Sequence, residues 1–328
     1  MTNKTTLRSN RGKALMGAAK VNSGVLAAFV LFFVVSIFLS GKFLTVKNMM
    51  TILRTNACTA LCAYGMTFVI LTGNIDLSIG SFMTLCGCLV GMLIGKAGFS
   101  TFAAIGVALV VAVIFGCING LLITSMRIPA FIATLATMNV MRGICYVMTN
   151  GKPVVFSKGL FTSIGGGYLG IFPLPAVYML IAFVILWVFL NRTRFGRSVY
   201  AVGGNIMAAR YSGVNTRRTI ILVYLISALC AALSGILLIS RLGSGQPTIG
   251  DGAELDAIAS CVVGGVAMTG GSGTLFGTFV GCLIMGIISN ILNLVGVNSY
   301  VQLIVEGVII VLSISVGLMR EHFQKAKK

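Results

Sequence analysis

Acidic side chains are the scarcest chemical groups in this sequence, with six among 328 residues, so each can be weighed by itself. Asp76 lies in a polar stretch between two apolar runs, with Asn74 and Ser78 beside it. A carboxylate there could cap a helix that begins at Leu77, with its charge at the positive end of the helix dipole. Alternatively, Asn74, Asp76 and Ser78 line a substrate path or gate, and the residues alone leave both roles open.

Asp251, Glu254 and Asp256 form the only acidic cluster, at the start of a short apolar segment, residues 256–268. Acids at a helix start are usually capping and loop charge, and Glu254 could also pair with a basic group. The alternative is that Glu254 and Asp256 line a path or a cation site. Glu306 lies inside the last apolar run, where we expect it to face the protein interior or pair with a partner.

Four asparagines in apolar surroundings add polar groups at membrane depth: Asn119, Asn139, Asn290 and Asn293. Such residues commonly hydrogen-bond between helices, and Asn290 and Asn293 are also candidates for the path. No arrangement of nucleophile, base and oxyanion donor can be assembled, and the phosphate-binding sequence GxxxxGK[ST] is absent. We therefore expect no catalytic residue, no cofactor bound by this chain and no enzymatic activity of the chain alone.

The nine cysteines all lie in apolar segments, and the single histidine, His322, lies near the chain end. Buried cysteine behaves as a small apolar residue, so disulfides are not expected. One histidine cannot complete a zinc site with dispersed cysteines. The sequence predicts no metal site.

Composition places the chain in a lipid bilayer. Hydrophobic residues make up 57% and charged residues 9%, whereas soluble domains carry about 25% charge. The mean hydropathy is +1.03. The net charge of +18 is concentrated at the chain ends and in one loop. This pattern indicates topology and affinity for anionic lipid headgroups, and it does not indicate nucleic-acid binding.

Apolar runs predict an all-α polytopic membrane protein with about ten crossings. The runs are residues 25–39, 52–72, 77–95, 101–124, 130–149, 174–190, 219–240, 256–268, 272–294 and 300–318. Basic ends, residues 1–22 and 320–328, place both termini in the cytosol around a membrane domain at 23–319. Two cytosolic termini require an even number of crossings, so residues 256–268 must count as one. Because it is short, it must be a broken helix lined by other protein.

The loop at residues 191–219 carries six arginines and no acid, so we expect it on the cytosolic side. Gly203, Gly204 and Asn205 break the pattern, and residues 206–211 can form a short helix. Asn205 is a suitable N-cap, and Gly213 can end the helix in a left-handed conformation. A helix held between glycine hinges suits docking of a soluble partner. The alternative is a solvated basic loop that only fixes topology.

Glycines suggest close helix packing and a weak internal repeat. Gly73–Gly95 and Gly273–Gly286 contain glycines at about small-xxx-small spacing, which lets helices approach closely, whether statically or during gating. Leu71–Gly73 and Met268–Gly270 each precede such a run. They fit either a parallel repeat or chance similarity.

Four stretches resemble the membrane permease subunits of ribose-type bacterial ABC sugar importers. They are GNIDLSIGS at 73–81, RFGRSVYAVGGNIMAARYSGVN at 194–215, ELDAIASCVVGG at 254–265, and 281–302 with ILNLVGVNSYVQ. The similarity covers nearly all of the chain after the first span. This sequence has Asn74 where the family usually has glycine, and Ile206 where the family has an acid.

The resemblance implies a multi-pass permease of the bacterial cytoplasmic membrane that forms the path for a ribose-like monosaccharide. It implies three partners: a second permease copy, identical or a paralogue; a cytosolic ABC ATPase that holds ATP and magnesium; and an extracytoplasmic sugar-binding protein. The family's coupling motif falls on Gly203, Gly204, Asn205, Ala208, Ala209, Arg210 and Gly213. Its acids fall on Asp76, Glu254 and Asp256.

Two other functions compete with this hypothesis. A proton-coupled secondary transporter would use Asp76 or Glu306 as its proton site and would need no ATPase. A passive channel would need no energy source at all.

Overall fold

The computed structural model describes residues 23–156 and 159–326, which form thirteen helices and four two-residue strands. The helices are α1 (Ser23–Leu39), α2 (Val46–Leu71), α3 (Ile79–Gly95), α4 (Thr101–Thr124), α5 (Ala130–Thr149), α6 (Leu160–Gly166), α7 (Leu174–Arg192), α8 (Arg194–Gly204), α9 (Ile206–Tyr211), α10 (Thr216–Leu242), α11 (Ala253–Val263), α12 (Leu275–Leu294) and α13 (Ser299–Ala326). The strands are β1 (Val154–Val155), β2 (Tyr168–Leu169), β3 (Phe172–Pro173) and β4 (Ser244–Gly245), and β1 pairs with β4 and β2 with β3. The predicted basic segment 1–22 and residues 327–328 lie outside the described residues.

The ten predicted crossings correspond to α1–α5, α7 and α10–α13, and the all-α membrane fold is confirmed. Among the described residues, α4, α5, α7, α10 and α12 are long and apolar enough to cross a membrane by length and composition. Helices α1 and α3 and residues 299–312 of α13 are shorter apolar helices. Helices α6 and α8 were not predicted, because they lie in segments that we expected to be loops.

Helices α2, α3 and α10 form the centre of the molecule. Every residue from Ala60 to Leu71 is buried, as is every residue from Ile79 to Cys88. By contrast, only 22% of the most apolar window of α4 or of α7 is buried. Large apolar side chains on these outer helices, such as Phe102 and Ile185, are exposed and suit contact with lipid.

Glycines bring the central helices into backbone contact. A Cβ at Gly235 of α10 would overlap the carbonyl oxygen of Met83 in α3, and a Cβ at Gly87 would lie 2.9 Å from the carbonyl oxygen of Gly235. The predicted small-residue faces therefore do pack closely. Eight of the nine cysteines are buried in these apolar contacts, and Cys117 is half-buried.

Helix α11 is the discontinuous element that the sequence predicted, and it begins at Ala253 within the protein. The segment before it turns back from the end of α10 and runs along α3, where the amide of Gly250 donates to Oγ1 of Thr84 at 3.0 Å. Helix α11 has 11 residues, and residues 257–261 are buried. It packs against α2, α12 and α13, and Gly264, which follows its last residue, is buried, as suits a broken helix that is lined by other protein.

Candidate functional site

A polar cavity of about 380 Å³ lies between α2, α11, α12 and α13. It brings together the predicted residues Asp256, Asn290 and Asn293 with Glu306. Sequence reasoning missed the other lining residues, which are Thr51, Thr55, Asn56, Thr59, Met285, Gly286 and Ser289. The threonines recur every four residues on α2, and such spacing marks one polar helix face.

The cavity is on the side of the membrane opposite the arginine loop. Its lining residues belong to the first halves of α2 and of α13, to the start of α11 and to the second half of α12. The arginine loop joins the end of α7 to the start of α10, and its contacts lie at the end of α2 and just before α12. With that loop in the cytosol, as its charge predicts, the cavity occupies the extracytoplasmic half.

Amide side chains hold the rim of the cavity together. Asn48 and Asn290 exchange two hydrogen bonds, with Nδ2 to Oδ1 distances of 3.0 and 2.9 Å. Asn293 accepts a 3.0 Å hydrogen bond from Nε2 of Gln302, and its own Nδ2 donates to the carbonyl oxygen of Ser289 at 2.8 Å. Asn290 and Asn293 therefore join α12 to α2 and α13 while they line the cavity.

Asn56 lies deeper and is 6% exposed. Its Nδ2 makes no hydrogen bond within the described part of the chain. The amide packs against Gly286 so closely that a Cβ at that glycine would overlap it. Asn56 thus contributes an unused donor to the cavity wall.

On the arginine-loop side of the cavity, α2, α11 and α12 are in tight contact, which we call the inner seal. Oγ1 of Thr67 lies 2.7 Å from Oγ1 of Thr278, a hydrogen bond that joins α2 to α12. A Cβ at Gly277 would overlap the carbonyl oxygen of Gly264, and one at Gly281 would overlap that of Ser260. The seal leaves no room for a solute between α11 and α12 in this conformation.

Asp76 is fully buried beside α3 and α10 and is not among the residues that line the cavity. Its Oδ1 accepts from the backbone amide of Ser78 at 3.0 Å and from the Ser78 hydroxyl, and its Oδ2 accepts from Oγ of Ser227 at 2.8 Å. Nδ2 of Asn119 donates to Oγ of Ser78 at 2.9 Å. The predicted helix start at Leu77 is wrong, because this turn delays α3 until Ile79.

Asn74 and Glu254, also predicted for the path, lie outside the cavity lining. Nδ2 of Asn74 donates to Oγ1 of Thr72 at 2.9 Å. Oε2 of Glu254 is buried against Gly80, without a hydrogen-bond partner among the described residues. The salt bridge considered for Glu254 is formed by Asp251 instead, whose carboxylate lies 2.8 Å from Arg142.

The first half of the arginine loop folds as α8, packed against the membrane helices. The Thr193 hydroxyl caps it by accepting from the amide of Gly196 at 3.2 Å. Val199 and Val202 are buried, and the ring of Phe195 stacks on Phe68 with centroids 6.4 Å apart. Gly203 and Gly204 form the helical end of α8, and the break predicted at residues 203–205 falls at Asn205, between α8 and α9.

Helix α9 forms as predicted. Oδ1 of Asn205 accepts from the amide of Ala208 at 2.9 Å, and Gly213 follows the helix with a φ of 81°. Ala209 faces the protein and is buried, whereas Met207 and Tyr211 are exposed. The helix therefore presents an apolar surface outward from a basic loop.

The end of α8 contacts the turns on either side of the inner seal. A Cβ at Gly203 would overlap the carbonyl oxygen of Leu71, which also accepts from the amide of Gly271 at 2.9 Å. The Tyr200 hydroxyl donates to the carbonyl oxygen of Gly273 at 2.9 Å. Burial raises the pKa of Tyr200 to about 12, so this donor stays protonated at neutral pH.

The two stretches of the suspected repeat meet at this junction. An added Cβ at Gly270 would lie 2.7 Å from the amide nitrogen of Gly73. The turn before α3 and the turn before α12 are therefore in direct contact below α8.

Beside α9 lies a basic cleft of about 460 Å³ that contains Arg127, Arg210 and Arg217. Its other lining residues are Thr124, Gly213, Val214, Asn215 and Thr216, and no acid is among them. Of the predicted coupling residues, Arg210 and Gly213 line this cleft, and Ala208 and Asn205 form the α9 cap. The cleft suits an acidic side chain of a soluble partner.

The chain is a bundle of membrane helices with a polar cavity, an interrupted helix (α11) and a basic helical loop (α8 and α9). This is the architecture of a membrane transport permease. The chain belongs to the family described as the permease component of branched-chain amino acid transport systems, which matches residues 48–314. It is a multi-pass protein of the bacterial inner membrane.

Three relatives extend over most of the chain. The ribose import permease of Bacillus subtilis (strain 168) is 47% identical over 304 residues, 88% of this chain and 90% of the relative. The ribose import permease of Escherichia coli (strain K12) is 43% identical over 297 residues, 89% of this chain and 92% of the relative. The D-allose transport system permease of the same strain is 39% identical over 293 residues, 88% of this chain and 89% of the relative. No solved structure matches the chain.

Proposed function

We propose that this chain is the membrane permease subunit of an ATP-driven importer for a neutral monosaccharide such as ribose. It pairs with a second permease, identical or a paralogue, receives sugar from an extracytoplasmic binding protein and docks a cytosolic ABC ATPase. The ATP and magnesium belong to that ATPase. Similarity over 88% of the chain to ribose and allose permeases supports the sugar assignment.

One observation carries the coupling part of the proposal. Helix α8 touches Leu71 at the end of α2, and it also touches Gly271 and Gly273 in the connection from α11 to α12. These are the three helices that close the inner seal. A displacement of α9 and α8 by the ATPase would therefore reach the seal through direct packing, without a long intermediate chain of contacts.

The mechanism follows from this arrangement. In the described conformation the cavity is in the extracytoplasmic half and the inner seal is closed, which suits acceptance of sugar from outside. ATP binding and hydrolysis on the partner then move α9 with its basic cleft. Separation of α11 from α12 at Gly264, Gly277 and Gly281 would open the seal, and sugar would leave toward the cytosol.

The proton-coupled alternative is less well supported. Asp76, one of its two proposed proton sites, gives both carboxyl oxygens to hydrogen bonds from Ser78 and Ser227 inside the packed core. Glu306 does line the cavity, so a test with a proton gradient is needed to separate the two mechanisms.

Reconstitution of the complete importer tests the proposal. The chain, its ATPase and its binding protein are placed in proteoliposomes with ATP and with labelled D-ribose, D-allose or D-xylose. We expect concentrative uptake of one of these sugars, and loss of uptake when ATP, the ATPase or the binding protein is omitted. Equal uptake without ATP, or no uptake of any of the three sugars by the complete system, would contradict it.

A further inference from the structure

The cavity walls offer both hydrogen-bond acceptors and donors. Asp256 and Glu306 contribute carboxyl oxygens, which accept in either protonation state. The hydroxyl protons of Thr51 and Thr55 go to the α2 carbonyl oxygens of Lys47 and Thr51, at 2.8 Å each, so these hydroxyl oxygens face the cavity as acceptors. These groups supply acceptors, and the hydroxyl groups of Thr59 and Ser289, which also line the cavity, can donate as well as accept.

Asn56 supplies a buried amide donor. Among the cavity amides, Asn290 donates to Asn48 and Asn293 donates to Ser289. Nδ2 of Asn56 has no partner within the described residues, and the side chain is 94% buried in the cavity wall, being 6% exposed. A buried amide donor without a partner is costly unless a ligand pairs with it, which points to a ligand group that accepts at this position.

The combination selects one class of ligand. A metal cation needs several converging ligands, and no group of three or more acidic, histidine or cysteine side chains among the described residues could hold one. An anion such as a sugar phosphate would face two carboxyl groups without a basic residue in the lining. The carboxylate of an amino acid would meet the same difficulty. A hydroxyl group donates and accepts at once, so a neutral polyhydroxy compound can use both kinds of wall.

We propose that the cavity is a sugar-binding site of the permease itself, in which Asn56 donates to a hydroxyl oxygen of a neutral monosaccharide and Asp256 and Glu306 accept from its hydroxyl groups. This inference rests on the proposed function and adds a specificity-determining residue to it. Met285 provides apolar surface for the C–H groups of the ring. Gly286 leaves the space that the Asn56 amide occupies.

The site can be tested on the purified full chain in lipid nanodiscs, without the binding protein. Binding of D-ribose, D-allose and D-xylose is measured by saturation-transfer difference NMR, with D-ribose 5-phosphate as the anionic comparison. We expect at least one neutral sugar to bind and the phosphate not to bind. Asn56→Leu, which keeps the size and removes the donor, should weaken sugar binding roughly tenfold or more.

Two further variants distinguish the loss of the Asn56 donor from a general loss of folding. Gly286→Ala places a methyl group against the Asn56 amide and should weaken binding as Asn56→Leu does. Asn191→Leu, the same chemical change at the far end of α7, should bind sugar as the unaltered chain does. The proposal is overturned if none of the three sugars binds, if the phosphate binds equally well, or if Asn56→Leu binds like the control.

The outcome separates this inference from the proposed function. ATP-driven uptake by the complete importer, together with unchanged sugar binding in Asn56→Leu, would refute the site and leave the importer assignment intact. Sugar binding that depends on Asn56, together with no uptake by the complete importer, would refute the importer assignment and leave the site intact.

Discussion

Gly203 of α8 packs directly on the carbonyl oxygen of Leu71, the last residue of α2, with no space for a Cβ between them. The neighbouring Gly204 is different, because a Cβ there would meet nothing within 4 Å. The two adjacent glycines therefore form a matched pair, one at a close contact and one in open space.

Gly203→Ala should push α8 away from α2 and reduce ATP-driven sugar uptake strongly at equal protein levels. Overpacking of this kind costs about 1–3 kcal/mol. Gly106→Ala in α4, outside the coupling loop, should keep normal uptake, since it adds a methyl group to a helical position where a Cβ meets nothing within 4 Å. Uptake rates of the two variants in proteoliposomes check this prediction, and equal defects in both would contradict it.

Asn205→Ala should loosen α9, because it removes the side-chain oxygen that caps the amide of Ala208. Loss of such a cap costs about 1 kcal/mol. Hydrogen exchange of residues 206–211 should become faster, and coupling of ATP hydrolysis to uptake should weaken. Asn205→Asp retains the acceptor and serves as the control; faster exchange in this control would count against the capping role.

Asp76 distinguishes a structural role from a proton-carrying one. Asp76→Asn retains an oxygen for the Ser78 amide, and the Ser227 hydroxyl can rotate to accept, so we expect most of the uptake to remain. Asp76→Ala leaves the Ser78 and Ser227 groups unpaired, at about 1–3 kcal/mol for each buried group, and should reduce the yield of folded protein. A well-folded Asp76→Asn chain without transport would indicate a proton site instead.

Gly281→Ala should disrupt the inner seal, because its methyl group would overlap the carbonyl oxygen of Ser260. We expect a lower melting temperature in detergent and leakage of sugar without ATP. Gly307→Ala in α13 is the control, since a Cβ there meets nothing within 4 Å. A Gly281→Ala protein that is as stable and as tight as this control would show that the seal does not depend on the close approach.

Local features of the structure could be predicted from the sequence. Asn205 and Gly213 define α9 because a cap and a left-handed glycine act within a few residues. Helix α8 was missed because Arg194 and Arg197 suggested a solvated loop, although Phe195, Val199 and Val202 already had helical spacing. The start of α3 was placed two residues early because the Ser78 amide and hydroxyl both turn toward Asp76.

The cavity could be predicted only in part. Asp256 and Asn290 were identified because charged and amide groups are rare at membrane depth. Asn56 and Thr59 were missed. Helix α2 packs on several helices, and contacts with segments far away in the sequence decide which of its polar residues face the cavity. Glu254 was predicted for the path but lies against Gly80, and no local pattern distinguishes it from Asp256.

The central claim is that a separate ATPase acts on this chain through α9, and site-specific photo-crosslinking tests it most directly. Tyr211 of α9 and Tyr300 at the start of α13 are both highly exposed, at 85% and 78%, and lie at opposite ends of the molecule. With p-benzoylphenylalanine at each position in cells, we expect a crosslink to the ATPase from position 211 and none from position 300. A crosslink from position 300 and none from position 211 would contradict the account.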